Sequence, residues 1–137
     1  MPPPSRTRRR VLVVEDVADL RRTYTRLLAA GGYAVTATSQ GLEALHLMPE
    51  VDPDVIVTEV SMPVMDGITM ITRLRERGVT VPVLAVGGDA FLESLARLVG
   101  ADAFLLQPVG QEALLEQVAA LIATGGAAQA RTSPGVA

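Results

Sequence analysis

A run of β-branched residues that ends in an acid constrains this chain more than any other feature. Residues Asp54–Val60 read DVIVTEV, a nearly continuous apolar segment of strand length, as expected for a strand buried on both faces. The segment carries Glu59 near its carboxyl end and passes into the turn sequence SMPVMDG. Open parallel sheets place their ligand chemistry where the strands end. Glu59 is therefore the first candidate functional residue.

Strand and helix patterns alternate along the rest of the chain. Short apolar runs predict five strands, at Val11–Val14, Tyr33–Thr38, Asp54–Val60, Val81–Val86 and Ala103–Leu106. A segment with helical spacing follows each strand, from about Asp16 to Gly31, from Ser39 or Gln40 to Pro49, from Gly67 to Arg77, from Asp89 to Gly100 and from Gln111 to Ala123. This alternation predicts an α/β protein whose parallel sheet is covered by helices on both faces.

The length of 137 residues suits one domain with a substantial core. We expect a disordered Pro- and Arg-rich leader over residues 1–9, the folded domain over residues 10–123, and a flexible tail over residues 124–137. The chain has no cysteine, which excludes disulfides and thiolate chemistry. It has neither a membrane-length apolar run nor a signal-peptide pattern, so a cytoplasmic location is expected.

The charged residues limit which chemistry is available. The chain has 12 basic and 15 acidic residues, all the basic ones are arginine, and no lysine ammonium is present. The net charge of −3 does not favour nucleic acid as a partner. The run Arg8–Arg10 could contact phosphates, but short arginine runs at termini are usually solvated.

Several short motifs together resemble one family, the receiver domains of bacterial response regulators. The motifs are the turn Met62-Pro63-Val64-Met65-Asp66-Gly67, the acidic pair Glu15-Asp16, Gly100-Ala101-Asp102 and Gln107-Pro108. The resemblance covers about residues 10–123. It implies a flavodoxin-like, doubly wound, five-stranded parallel sheet in the order 2-1-3-4-5 with five helices. It also implies a role in two-component (phosphorelay) signal transduction, in which an aspartate at the end of the third strand accepts a phosphoryl group.

The positions that carry this chemistry in the family are altered here. The phosphoacceptor position holds Glu59, the position of a Thr or Ser after the fourth strand holds Gly87, and the position of a lysine before Pro108 holds Gln107. The aromatic switch position of the fifth strand aligns with Phe104. Phosphoryl transfer requires accurate positioning and neutralisation of charge. We therefore predict a degenerate receiver, or pseudo-receiver, which is not phosphorylated and is not an enzyme.

The resemblance further implies a magnesium site in the same place. Its ligands would be the carboxylates of Glu15, Asp16 and Glu59 and the carbonyl of Ser61, since Mg²⁺ prefers oxygen ligands. Carboxylates that lie close together disfavour joint ionisation, so at least one of the three should have a raised pKa. A weakly bound Mg²⁺ ion or a retained proton would relieve the repulsion.

The sequence leaves three functions open. The first is a signalling module that acts through protein–protein interaction without phosphorylation. Its partner would be a sensor kinase or an output protein, it could also form a homodimer, and the family resemblance suggests contact through helix four, strand five and helix five. The second is a working phosphorelay receiver with a non-standard acceptor; Ser61 and Asp66 lie nearby, but the spacing selects neither. The third is a dimerising module that contacts nucleic acid through its arginine leader.

Overall fold

The computed structural model describes residues 8–131, and side chains as far as residue 125. Five strands alternate with five helices: β1 (Arg10–Val14), α1 (Ala18–Ala30), β2 (Ala34–Thr38), α2 (Gly41–Val51), β3 (Val55–Glu59), α3 (Gly67–Glu76), β4 (Val83–Gly87), α4 (Leu92–Val99), β5 (Ala103–Leu106) and α5 (Gln111–Arg131). Every strand bound lies within two residues of its prediction. No helix within the described residues is long and apolar enough to cross a membrane.

The strands form one parallel sheet in the order β2-β1-β3-β4-β5. This confirms the predicted flavodoxin-like, doubly wound fold. Since all strands point the same way, their carboxyl ends meet at one edge of the sheet, which we call the carboxyl edge. The register places Glu59 opposite Val86 there, and Val14 opposite Thr58.

Both faces of the sheet are buried along its three central strands, β1, β3 and β4. Successive side chains of a strand point to opposite faces, so Val55 and Val57 pack on one side and Ile56 on the other. The first side is covered by α1 and α5, through residues such as Leu28 and Leu114, while α2, α3 and α4 cover the second. Every residue of β3 is buried. The near-continuous apolar run in the sequence therefore reflects burial on two faces.

The turn after β3 holds the end of that strand in a defined geometry. The Gly67 N–H donates to the Val60 carbonyl at 2.7 Å, and the Asp66 carboxylate caps α3 by accepting from the Thr69 N–H at 2.7 Å. A Cβ atom added to Gly67 would lie 2.4 Å from the Glu59 carbonyl oxygen. Glycine is required at position 67 because α3 begins directly against the backbone of Glu59.

Two helices extend further than predicted. Helix α2 continues through Pro49 to Val51. The fixed φ of proline is compatible with a helix, and only two residues of α2 come after Pro49. Helix α5 continues through residues 124–131, which were expected to belong to a flexible tail. Gly125 lies against Pro82, where a Cβ would be 2.5 Å from the proline ring, and alanine-rich sequence then favours the helix. Residues 1–7 and 132–137 of the predicted leader and tail lie outside the described residues.

The fourth helix also starts later than predicted. Asp89 precedes α4 by three residues, and its carboxylate accepts from the Phe91 N–H at 3.0 Å while its carbonyl accepts from the Leu92 N–H at 3.0 Å. Asp89 thus closes a turn that leads into the helix. Among the residues of α4 itself, only Ala96 is buried. The apolar spacing of this segment therefore does not place most of its side chains in the core.

The contact at Gly67 yields a stability prediction. Gly67→Ala should lower the free energy of unfolding by about 1–3 kcal/mol, since backbone atoms must move to admit the methyl group. For a domain of this size, the melting temperature should fall by several degrees, roughly 2–4 °C for each kcal/mol. Gly110→Ala is the matched control, because a Cβ there meets nothing within 4 Å. Equal melting temperatures for the two variants would contradict this account of the turn.

Candidate functional site

The sheet brings four of the predicted site residues together at the carboxyl edge. Glu15 follows β1, Glu59 ends β3, Gly87 ends β4 and Gln107 follows β5. The two glutamates are almost completely buried, with exposed fractions of 1% for Glu15 and 8% for Glu59. Asp16, the third predicted acid, is only half-buried. The site is therefore a pocket built around two buried carboxyl groups, which we call the acidic pocket.

A glutamine amide closes the acidic pocket. Gln107 Nε2 donates to Glu59 Oε2 at 3.0 Å and to the Tyr24 hydroxyl at 3.1 Å, so both N–H bonds of the amide have acceptors. The Gln107 backbone N–H donates to the Gly87 carbonyl at 2.8 Å, which holds the residue at the end of β4. Burial raises the pKa of Tyr24, so the hydroxyl keeps its proton. The sequence analysis missed Tyr24, because helical spacing assigned it only to the core face of α1.

Burial dominates the electrostatics of the acidic pocket. It raises the pKa of Glu15 to about 7, although the Val17 N–H partly opposes the shift by donating to Glu15 Oε2 at 3.2 Å. Burial likewise raises the pKa of Glu59 to about 6. The hydrogen bond from the Ser61 N–H lowers this pKa, and repulsion from Asp16 raises it further. The predicted rise in carboxylate pKa is thus present, and desolvation is its largest cause, ahead of like-charge repulsion.

One oxygen in the pocket has no partner. Glu15 Oε1 is buried and accepts no hydrogen bond from any described residue. The Glu15 carboxyl group lies close enough to Glu59 and Asp16 for their charges to raise its pKa, so joint ionisation of these groups is repulsive. A proton retained by Glu15 relieves this repulsion. The pair then carries one negative charge, and the Gln107 amide donates to it.

The magnesium ligands predicted from the sequence are not assembled as a set. Within residues 8–131, no three His, Asp or Glu side chains are arranged to hold a metal ion. Glu59 already accepts from Gln107 and from the Ser61 N–H at 3.4 Å, and Asp16 is only half-buried beside the pair. Mg²⁺ commonly retains several waters and takes one or two carboxylates. The pocket offers a hydrated ion two buried carboxyl groups, those of Glu15 and Glu59, and the wider ligand set with Asp16 and the Ser61 carbonyl stays a prediction.

The space beside Gly87 is filled by apolar side chains. A Cβ atom on Gly87 would lie 2.9 Å from Leu92 Cδ1 and 3.3 Å from two ring carbons of Phe104. The Phe104 ring is half-buried and packs over the end of β4. Phe104 and Leu92 therefore occupy the volume that a hydroxyl side chain at position 87 would need.

Other oxygen-bearing residues near β3 have structural roles. Thr58 is fully buried and its hydroxyl donates to the Glu59 carbonyl at 3.0 Å. Asp66 caps α3, as described above. Asp54 lies at the opposite edge of the sheet, where it accepts from the Arg10 N–H at 2.8 Å. Ser61 is the remaining candidate from the sequence, and it is exposed beside the pocket.

The arginine run before β1 is partly engaged at that opposite edge. Arg9 lies 3.6 Å from the Asp54 carboxylate, and Arg10 Nη1 donates to the Val51 carbonyl at 3.2 Å. Two of the three arginines thus contact acceptors of the chain itself. The acidic pocket and this run lie at opposite ends of the strands.

The raised pKa values predict how stability depends on pH. Between about pH 4.5 and pH 7 the native state binds more protons at Glu15 and Glu59 than the unfolded state, so stability falls as pH rises. The pair is therefore destabilising above that range. Glu15→Gln should raise the free energy of unfolding at about pH 8, by on the order of 1–3 kcal/mol, and change it little at about pH 5.

Thermal unfolding in metal-free buffer across this pH range measures the effect. The matched control is Glu116→Gln on the exposed surface of α5, whose difference from the unaltered chain should not grow with pH. If Glu15→Gln and Glu116→Gln behave alike, Glu15 does not share a buried pocket with Glu59.

Comparison with known proteins identifies the family that shares this architecture. The family model described as "Response regulator receiver domain" matches residues 11–119. The chain is 37% identical to response regulator MprA of Mycobacterium sp. (strain KMS) over an alignment of 127 residues. This alignment covers 91% of this chain and 52% of the relative. It is 35% identical over 130 residues to transcriptional regulatory protein PrrA of Mycobacterium leprae (strain TN), covering 93% and 56%. The chain thus spans about half the length of these relatives.

Solved structures agree. The chemotaxis response regulator CheY4 of Vibrio cholerae has a TM-score of 0.78 and 28% identity, covering 84% of this chain and 99% of that one. The receiver domain of the Francisella response regulator 1452 has a TM-score of 0.80 and 26% identity, covering 85% and 98%. The fold of this chain is thus the fold of these receiver domains. This chain belongs to the response regulator receiver domains.

Proposed function

We propose that this receiver domain acts in two-component signalling through protein–protein interaction, without phosphorylation and without catalytic activity of its own. The observation that carries the proposal is the hydrogen bond from Gln107 to Glu59. The carboxyl group at the acceptor position is held by neutral donors inside the acidic pocket, where a phosphoryl group would require positive charge.

The lack of a paired cation near Glu59 supports this proposal. The chain has no lysine, and no described arginine forms a salt bridge with Glu15, Asp16 or Glu59. Arg21 reaches the loop after β1, but it donates to the backbone carbonyls of Glu15 and Asp16. A phosphoryl group added here would increase the negative charge of a pocket that already disfavours two ionised carboxylates.

The geometry of the nucleophile points the same way. A glutamate carries its carboxyl group about one bond length, roughly 1.5 Å, further along the side chain than an aspartate, and reactions of bound groups tolerate little misplacement. Both carboxyl oxygens of Glu59 are also engaged, one by Gln107 and one by the Ser61 N–H. In-line attack by Glu59 would require those bonds to be broken.

The packing around Gly87 supports a constant signalling state. A receiver that responds to phosphorylation needs a side chain that joins the phosphoryl group to the helices beyond it. Gly87 has none, and the Phe104 ring and Leu92 fill that space. We infer that the surface which α4 offers to a partner does not depend on events in the acidic pocket.

The partner would be a protein of the same signalling system, a sensor kinase or an output protein. The relatives named as response regulator and as transcriptional regulatory protein are about twice as long as this chain, which leaves room for an output region outside the matched part. Nucleic-acid contact through the leader is less well supported, since Arg9 and Arg10 contact Asp54 and Val51. No specific observation favours Ser61 as a phosphoryl acceptor.

Incubation with acetyl phosphate and Mg²⁺ tests the proposal. We expect no gain of a phosphate-sized mass by intact mass spectrometry, because Gln107 supplies no positive charge to the pocket and Gly87 supplies no hydroxyl. An aspartate-bearing receiver treated in parallel shows that the reagents work. A phosphate-sized gain that is lost in Glu59→Ala would overturn the proposal, and a gain lost only in Ser61→Ala would identify a non-standard acceptor.

A second prediction separates the effect of the acceptor residue on phosphorylation from the effects of Gly87 and Gln107. Glu59→Asp alone should still be labelled at least roughly 100-fold more slowly than an aspartate-bearing receiver, since the loss of even one stabilising group can reduce a rate by that factor. The double variant Glu59→Asp/Gln107→Lys should be labelled faster than the single variant, since it restores a cation without adding a side chain at the filled position 87. Rapid labelling of Glu59→Asp alone would mean that Gly87 and Gln107 do not limit the chemistry.

A further inference from the structure

Strand β2 lies at one edge of the sheet and has an open side. Among the described residues only β1 pairs with it, and no strand lies beyond it. The backbones of Ala34 and Thr38 are hydrogen-bonded toward the β1 side. Because backbone groups alternate in direction along a strand, Val35 and Ala37 each turn one N–H and one C=O away from β1. We call this open side of the strand the β2 edge.

The strand carries none of the usual devices that prevent pairing at an edge. Proteins commonly protect an edge strand with a charged side chain, a proline or a bulge. The sequence of β2, AVTAT, contains no charge and no proline, and its register with β1 is regular along the whole strand. An extended segment of another molecule can therefore add to the β2 edge through main-chain hydrogen bonds.

A groove lies beside the β2 edge on each face of the sheet. The α1 groove, of about 440 Å³, lies between Ala37 and one stripe of α1. That stripe consists of Arg21, Arg22, Thr25, Arg26 and Ala29. The α2 groove, of about 420 Å³, lies between β2 and residues of α2, namely Leu47, Glu50 and Val51. Since successive side chains of a strand point to opposite faces, an added strand would direct alternate side chains into the two grooves.

The α1 groove is basic. Arg26 is exposed and forms no salt bridge with a described residue. Arg22 pairs with Asp19, and Arg21 donates to two backbone carbonyls of the loop after β1. A guanidinium group has five N–H donors, so Arg21 and Arg22 retain donors for a further carboxylate. The α1 groove thus fits acidic side chains.

The α2 groove is mainly apolar and has no net charge. Leu47 and Val51 are half-buried in its wall. Its two charged residues have opposite sign, and one of them, Arg10, already donates to the Val51 carbonyl at 3.2 Å. The other, Glu50, is exposed and would repel an acid. The α2 groove thus fits apolar side chains.

We propose that the β2 edge binds an extended acidic segment of a partner protein, in which acidic and apolar residues alternate. The segment would add a strand to the sheet, with its acidic side chains in the α1 groove and its apolar side chains in the α2 groove. This proposal goes beyond the proposed function, because it gives the chain an interaction surface at the edge of the sheet opposite β5 and apart from the acidic pocket.

Charge distinguishes this partner from two other occupants. A second copy that paired β2 with β2 about a two-fold axis perpendicular to the sheet would place both α1 helices on the same face. Arg22 and Arg26 would then lie near their counterparts, and this like-charge repulsion disfavours the pairing. The ends of this chain are also unsuited, because residues 1–7 and 132–137 contain no acid.

Fluorescence anisotropy with labelled synthetic peptides tests the proposal on the full chain. The probe is a peptide in which glutamate and valine alternate, and the control peptide has the same composition with all glutamates in one half. We expect the alternating peptide to bind at least about 10-fold more tightly. The reason is that the grouped peptide must place acids in both grooves.

A charge reversal tests the α1 groove. Arg26→Glu should weaken binding of the alternating peptide roughly 3- to 10-fold, since it replaces an attraction by a repulsion. Arg73→Glu is the matched control, because Arg73 is an exposed arginine of α3 outside both grooves. With lysine in place of glutamate in the peptide, Arg26→Glu should instead bind more tightly than the unaltered chain.

Amide hydrogen exchange measured by NMR locates the peptide without a substitution. Saturation with the alternating peptide should slow exchange of the Val35 and Ala37 amides at least about 10-fold, because these N–H groups become hydrogen-bonded. Ala37→Pro removes one of the two donors and should weaken binding at least about 10-fold. Circular dichroism checks that this variant folds, since proline is tolerated in an edge strand where its nitrogen faces outward.

The outcomes that contradict the proposal are distinct. Absence of binding at millimolar peptide, equal affinity for the two peptides, equal effects of Arg26→Glu and Arg73→Glu, or unchanged exchange at Val35 and Ala37 would each overturn it. A dimer that Ala37→Pro abolishes would assign the β2 edge to a second copy and would also overturn it. Phosphate uptake at Glu59 would contradict the proposed function alone, because Glu59 lies outside the β2 edge.

Discussion

Burial of both sheet faces is the constraint on which the rest of this structure depends. Helices cover the strands on either side, so side chains of β3 have no access to water along the strand. Polar groups can be placed only where the strands end, and parallel strands all end at the same edge. Glu15 and Glu59 are brought together there, and they are buried because neighbouring loops and helices close over them. The raised pKa values of both groups follow from that burial.

The three altered positions make physical sense as a set. Two buried carboxyl groups close together favour a retained proton, and a pair with a single charge needs only neutral donors, such as the Gln107 amide and the backbone. A site that binds no phosphoryl group, as we propose, has no use for a hydroxyl at position 87. The volume is instead filled by apolar side chains, which add dispersion contacts and exclude water. The residues at positions 59, 87 and 107 are thus consistent with one another. Together they favour a pocket that is stable and unreactive.

Helix α4 differs from the other helices in what its apolar residues do. In α1 and α3, residues at helical spacing such as Leu28 and Ile71 are buried. In α4 the same kind of spacing leaves Phe91, Leu95 and Leu98 exposed, because Ala96, with the partly buried Leu92 and Val99, packs inward on another part of the helix. A small residue at the contact lets α4 lie close to the sheet. The larger side chains are left exposed.

The sequence by itself determined the order of elements, the parallel sheet, the turn after β3 and the identity of the altered positions. These depend on local patterns: apolar runs, helical spacing, and the glycine and proline of the turn, whose backbone requirements are local. Only the tertiary structure decided that Tyr24 shares the Gln107 amide with Glu59, that Asp16 is less buried than the two glutamates, and that Phe91 and Leu98 are exposed. Helix α5 likewise extends past Ala123 where Gly125 meets Pro82. Such contacts join residues far apart in the chain, and helical spacing does not distinguish a face turned to the core from one turned to a partner.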